Sequence, residues 1–318
     1  NLKADILMRR ENNKKDKRTI LSKAMLNYAK YGAHSPYTDK LTKDEILGQQ
    51  AGELTALLRE LPTFRHEVLY VGSNTARRVA GILKQHHPVS EKLRAPLPAR
   101  KYREAGAKKD KVFFIHFPMV QVELLLASKG TPKFNLEEYI FSEWYNQYFG
   151  YGLSSIVFQE IRESKALAYS AYAYAANPAR KNKAHFLQAY VGTQPDKLHD
   201  AVEAFQNILE DMPVSLSQME HARQSVLKQI AAGRINNAEI YWTWRANLDR
   251  GFRHDLRADI YRIIETATPD DLIRFQHQHI KGRHYHWMVL GDRDQIDFDY
   301  LRTLGTVQEL RLEDVFGY

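Results

Sequence analysis

Within the segment Gly150-Tyr151-Gly152-Leu153-Ser154-Ser155-Ile156-Val157-Phe158-Gln159-Glu160-Ile161-Arg162-Glu163-Ser164-Lys165-Ala166-Leu167-Ala168-Tyr169-Ser170 a tight turn, a helix and the start of a strand follow one another. The two glycines make the turn, and a helix over residues 154–164 follows it. Residues 168–175 then alternate, so that Tyr169, Ala171, Ala173 and Ala175 share one face of a strand while Tyr172 and Tyr174 share the other. Tyr169 therefore points over a floor of small side chains, seven residues after Arg162. The Gly-x-Gly is not a phosphate loop, because no Lys-Ser/Thr follows it.

Outward from this segment the chain reads as strands and helices of an α+β layer fold. Val112-Phe113-Phe114-Ile115 and the run from Val120 to Leu126 predict strands, and Asn135 with Glu138 three residues on predicts a helix start. A strand is expected over 185–191. Leu198, Ala201, Val202, Phe205, Ile208 and Leu209 trace the apolar stripe of a helix, Ser217-x-x-Glu220 caps a longer one, and residues 236–250 continue the helical layer. Two parts of the chain also correspond at an offset of about 220 residues, a register read from cap and strand patterns. Leu41-Thr42-Lys43-Asp44-Glu45-Ile46 and Ala267-Thr268-Pro269-Asp270-Asp271-Leu272 each set a Thr three residues before an acid, and Val68-Leu69-Tyr70-Val71-Gly72 and Trp287-Met288-Val289-Leu290-Gly291 each read as a short buried strand. The expected organisation is the C-terminal part of one domain over residues 1–85, a Pro-, Ala- and Lys/Arg-rich linker over 86–111, and a complete homologous domain over 112–318.

The bulk composition narrows the function classes. A chain of 318 residues with 44% hydrophobic content buries a sizeable core. No apolar run approaches the roughly 20 residues of a membrane span, and the absence of cysteine excludes disulfides and thiolate metal sites. Asn1-Leu2-Lys3 opens directly in a charged helical pattern with no initiator Met, from which we expect an N-terminus lying upstream. The formal charge of +8 is spread over clusters such as Lys14-Lys15, Lys17-Arg18 and Lys108-Lys109 without aromatics interleaved on one face, so no nucleic-acid partner is expected.

The Gly150–Ser170 segment resembles the signature of the pitrilysin/insulinase family of zinc metallopeptidases, and the likeness covers nearly the whole chain, including Tyr28-Ala29-x-Tyr31-Gly32-x-x-Ser35-Pro36-Tyr37 before the Thr42 helix. The resemblance implies four similar α+β domains in two bowl-shaped halves, with mixed or antiparallel sheets and helices packed on one face. This chain resembles the end of the third domain and a complete fourth. The metal-binding His-x-x-Glu-His of the catalytic half occurs nowhere among the 13 histidines. No catalytic residue, metal ligand or cofactor is therefore expected in this chain, and zinc is expected in the catalytic half of a parent protein. The alternative, the tail of a catalytic half, would require a zinc-binding glutamate near residues 5–12, where Glu11 is the candidate among Arg9, Arg10, Lys14 and Lys15.

By the same resemblance, Arg162 and Tyr169 reach toward the scissile region when the halves close, bind the substrate backbone and support the tetrahedral intermediate. The chemistry is sound, since a phenol or guanidinium aimed at a carbonyl oxygen that gains negative charge lowers the barrier. The plainer alternative pairs Arg162 with Glu160 or Glu163 and leaves Tyr169 a strand aromatic. One departure is Ala166, where the family usually has Gly. Implied partners are a catalytic half or subunit and peptide or unfolded substrate, with a periplasmic setting in a bacterial parent. A natively inactive partner or scaffold subunit of the same fold stands beside this reading. The edge of the strand over 168–175 offers backbone groups to an added peptide strand. Among the remaining histidines, His277 and His279 fall on different faces of a helix. His284 and His286 share a strand face without an acid in phase, and His86-His87 belongs to the linker.

Overall fold

The apolar runs of the C-terminal two thirds pair into a six-stranded sheet in a computed structural model of the chain, which describes residues 2–150 and 152–318. Asn1 and Tyr151, the middle residue of the Gly-x-Gly, lie outside the described residues. The strands are β1 (Lys111–His116), β2 (Val122–Lys129), β3 (Ser170–Ala176), β4 (Phe186–Thr193), β5 (His286–Gly291) and β6 (Thr306–Glu309), in the spatial order β3-β4-β2-β5-β1-β6. β1 runs parallel to both β5 and β6, and the other neighbouring pairs are antiparallel. This is the α+β architecture that the sequence predicts, with a mixed sheet of the kind that the resemblance implies. β2 sits at the centre with its first seven residues buried, as a strand covered on both faces must be.

The main core lies between one face of the sheet and a bundle of helices that includes Leu136–Tyr145, Leu198–Glu210, Leu216–Ala232, Leu256–Thr266 and Pro269–His279. All six residues of the stripe from Leu198 to Leu209 are buried there. Trp144 is fully buried and still satisfies its indole N–H, which donates to the Met219 carbonyl at 2.9 Å. Asn135 caps its helix by accepting the Glu138 N–H at 2.8 Å. The cap at Ser217 is corrected: the helix begins at Leu216, inside which Ser217 falls, and Glu220 pairs with Arg223 at 2.8 Å.

A second, smaller core covers the opposite face. Ile20, Leu21, Ala24, Met25 and Ala29, from the helical stretch after Asp16, pack with Phe316 and Val315 against Phe113, Ile115, Leu125, Met288 and Leu290 of the sheet. The N-terminal helices thus add a layer to the face away from the bundle.

Thr42 and Thr268 each form the predicted capping box. The strand expected at Val68 to Gly72 does not form. Val68, Leu69, Tyr70 and Val71 are exposed and carry no regular structure, because no neighbouring strand among the described residues offers its backbone groups a partner. An apolar run specifies a strand only where a ladder exists to receive it.

Candidate functional site

Ser155 starts the helix before the site. Its hydroxyl donates to the Gly152 carbonyl at 2.8 Å and accepts the Phe158 N–H at 3.3 Å. From Phe158 to Ser164 the helix widens into π-helical turns, a geometry that re-aims side chains at functional positions more often than elsewhere. Ile161 is fully buried and anchors it, so the next residue, Arg162, projects outward.

Ala166 then reverses the chain with φ +48°, a left-handed conformation that favours glycine. Several bonds hold the following segment to the end of β4 and the turn after it. The Tyr169 N–H donates to the Gly192 carbonyl at 2.9 Å, Thr193 Oγ1 donates to the Leu167 carbonyl, and Lys197 Nζ donates to the Ala166 carbonyl at 3.3 Å. Tyr169 sits one residue before β3 and is 56% exposed. Its hydroxyl accepts a hydrogen bond from Gln194 Nε2 at 2.9 Å, which leaves the phenolic proton free to be donated elsewhere.

Arg162 and Tyr169 line the same open cleft, about 300 Å³, together with Gln194 and Lys197. The guanidinium also has the neighbours of the plainer reading, with Glu163 at 3.8 Å and the Phe158 ring 4.9 Å below it. Both contacts are loose enough to yield to a ligand. Gln194, Thr193 and Lys197 were not legible as site residues, since only the β3–β4 pairing brings a segment some 25 positions away onto Tyr169.

The edge of β3 differs from expectation. Asn146 turns its carboxamide onto Ala175, accepting its N–H at 2.7 Å and donating to its carbonyl at 3.1 Å. A Cβ on Gly150 would stand 2.0 Å from the Ala173 carbonyl oxygen, so glycine alone lets this turn lie against the strand. The outer edge over residues 173–175 is occupied, and a peptide cannot add there.

The histidines and Glu11 do not fit a zinc ion. His284 Nδ1 lies 3.0 Å from Asp110, His286 Nδ1 meets the Ala29 carbonyl at 2.9 Å, His277 is exposed, and Glu11 is exposed on the helix Leu2–Lys15. Buried Glu138 has His185 and His279 nearby at 3.8 and 3.5 Å, but the other nitrogen of His185 accepts the Asn135 N–H. Among the described residues no group of three or more His, Asp or Glu could hold a metal ion. No described helix is long and apolar enough to cross a membrane.

A sequence model of the peptidase M16 inactive domain matches residues 67–225, half of the chain. An uncharacterized zinc protease of Streptomyces coelicolor is 23% identical over 231 residues, 69% of this chain and 47% of that protein. An uncharacterized zinc protease of Rickettsia felis is 32% identical over 110 residues, 35% of this chain and 26% of that protein. The chain thus matches about half or less of the length of these relatives. Among solved structures, the peptidase M16 inactive domain from Pseudomonas fluorescens superposes with a TM-score of 0.68 at 19% identity, covering 92% of this chain and 69% of that one. A chain of complex III2 from Candida albicans gives 0.63 at 13% identity, covering 96% and 74%. The fold is shared with both solved structures, and the match over residues 67–225 identifies the chain as a member of the peptidase M16 family, carrying its inactive domain.

Proposed function

We propose that this chain forms the substrate-holding wall of a zinc metalloendopeptidase, with the metal and general base supplied by a catalytic half or subunit. The observation that carries this reading is the shared cleft of Arg162 and Tyr169, with the Tyr169 proton left free by Gln194. Arg162 grips the backbone carbonyls of an extended peptide. Tyr169 donates to the carbonyl oxygen as negative charge develops on it. Within this reading, residues 1–85 are the tail of a preceding domain and 112–318 the complete domain that carries the site. Peptide binding to the purified chain, followed by fluorescence anisotropy, tests it. Arg162→Ala is expected to weaken binding several-fold, and wild-type affinity in that variant would overturn the reading.

The likeness to a chain of complex III2 favours a second reading, a scaffold subunit without a role in peptide handling. Stable association with another subunit together with no measurable peptide affinity would select it.

A further inference from the structure

A groove lies on the face of the sheet away from the bundle, beside the start of β3. Tyr172 and Tyr190 oppose one another across β3 and β4 with rings stacked 5.0 Å apart at 20°, and Tyr174 continues the row at 6.2 Å. Leu21 and Leu125 floor the groove, each 2% exposed, and its volume is about 590 Å³. Burial pushes all three phenols above their ordinary range, so they stay protonated and neutral at physiological pH.

The charges at its rim are unequal. Glu123, 5% exposed, is matched by Lys17 at 2.5 Å. Arg18 also lines the groove and has no ion-pair partner among the described residues, which leaves one cation in excess. Ser170 lines this groove while the adjacent Tyr169 lines the Arg162 cleft, so the two open at the same end of β3.

We propose that the tyrosine groove is a second peptide subsite, selecting an aromatic side chain followed two residues later by a carboxylate. This rests on the peptide-holding reading of the Arg162–Tyr169 cleft. In an extended peptide, side chains two apart lie on one face about 7 Å from each other. A phenyl ring stacks on the Tyr172–Tyr190 pair, and the carboxylate meets Arg18. A nucleic-acid strand would also stack on tyrosines, but it requires a track of cations for its phosphates, and this groove has a single unpaired one.

The test uses the full 318-residue chain and three fluorescein-labelled Gly/Ser peptides containing Phe-Gly-Glu, Phe-Gly-Lys or Ala-Gly-Glu. The first is expected to bind about three- to tenfold more tightly than either other, the range of one partly exposed charge pair or one stacked ring. Arg18→Glu, at an exposed position, reverses the Glu-over-Lys order, and Tyr172→Leu, which removes one ring of the stacked pair at a half-buried position, narrows the Phe-over-Ala ratio. Unchanged ratios in both variants overturn the proposal. Equal binding of the three peptides, all weakened alike by Arg162→Ala, sinks the groove while the cleft reading stands. Tighter binding of a dodecathymidylate than of any peptide, or no peptide binding at all, overturns both.

Discussion

Asn146 supplies Ala175 with both hydrogen bonds that a neighbouring strand would have made, accepting from its N–H and donating to its carbonyl. The side chain is 7% exposed, so water is a poor substitute when it is removed. Asn146→Ala leaves two backbone groups unpaired at a sheet edge, and we expect a loss of about 1–3 kcal/mol. Equilibrium urea unfolding measures it. The same variant is expected to bind thioflavin T on prolonged incubation, since the freed edge can template another strand. A midpoint equal to that of the wild type would show that the edge does not depend on this side chain.

Two backbone positions flank the helix of the site, and opposite effects are expected when each is changed. Gly150→Ala drives a methyl group into the Ala173 carbonyl and is expected to cost about 3 kcal/mol or more, at or above the upper end of the usual range for overpacked cores. Ala166→Gly relieves a left-handed alanine and is expected to add up to about 1 kcal/mol, the gain being reduced by the extra freedom of glycine in the unfolded chain. Thermal melts of the two variants check both signs.

Much of this was legible in the sequence, where a local rule decides the outcome. The cap at Asn135, the stripe from Leu198 to Leu209 and the alternation of Ala171, Tyr172, Ala173 and Tyr174 depend on neighbours within one turn or one pleat. What was not legible depends on distant chain. The Asn146 lock spans 29 positions and the Gln194 bond to Tyr169 spans 25, and neither leaves a local pattern. Val68 to Val71 has the composition of a strand and fails for want of a partner, the same dependence in reverse.

Acid should destabilise the fold through two histidines, the buried His185 and the half-buried His286. Burial is the main cause that holds both His185 and His286 below the ordinary imidazole range. His279 and Arg283 reinforce it for His185 against the opposing pull of Glu138, and Lys111 reinforces it for His286 against the Ala29 carbonyl and Asp110. The unfolded chain takes up these protons near pH 6.5, before the folded chain does, so stability is full above about pH 6.5 and falls as the pH drops below it. Below about pH 4 the carboxylates of Asp271 and Asp255, both held low by hydrogen bonds, extend the loss. Unfolding midpoints across this range, with His185→Gln flattening part of the upper slope, test the sign. Stability that rises between about pH 7 and 5.5 would contradict it.

The domain boundary proposed at residue 111 makes a structural demand. A chain beginning at Lys111 keeps the main core but uncovers Phe113, Ile115, Leu125, Met288 and Leu290, which Ile20 to Ala29 otherwise cover. We expect it to unfold cooperatively at a lower temperature than the full chain and to bind a hydrophobic dye in the folded state. In the full chain, Met25→Ala is expected to cost about 2–5 kcal/mol, as for other large-to-small changes at fully buried sites. A truncated chain with no cooperative transition would show that the two layers form one unit and would move the boundary.

The aim of Tyr169 can be separated from its presence in a complex reconstituted with a catalytic half. Tyr169→Phe removes a hydroxyl at an exposed position and creates no cavity, so little change in the fold is expected. Loss of a single oxyanion donor is expected to lower kcat by about ten- to a thousandfold with KM little changed. Gln194→Leu keeps the phenol but removes the amide that orients it, and a smaller fall in kcat of about three- to tenfold is expected, in line with loss of one neutral hydrogen bond. Arg162→Ala raises KM as well as lowering kcat, because a guanidinium that grips the backbone acts before the chemical step and during it. Tyr241→Phe, on the helix Asn237–Arg250 and outside both clefts, serves as the control. Steady-state kinetics on the four variants, with matched melting temperatures, decide the matter. If Tyr169→Phe is as active as Tyr241→Phe, the phenol takes no part in the reaction and Gln194 orients nothing of catalytic use.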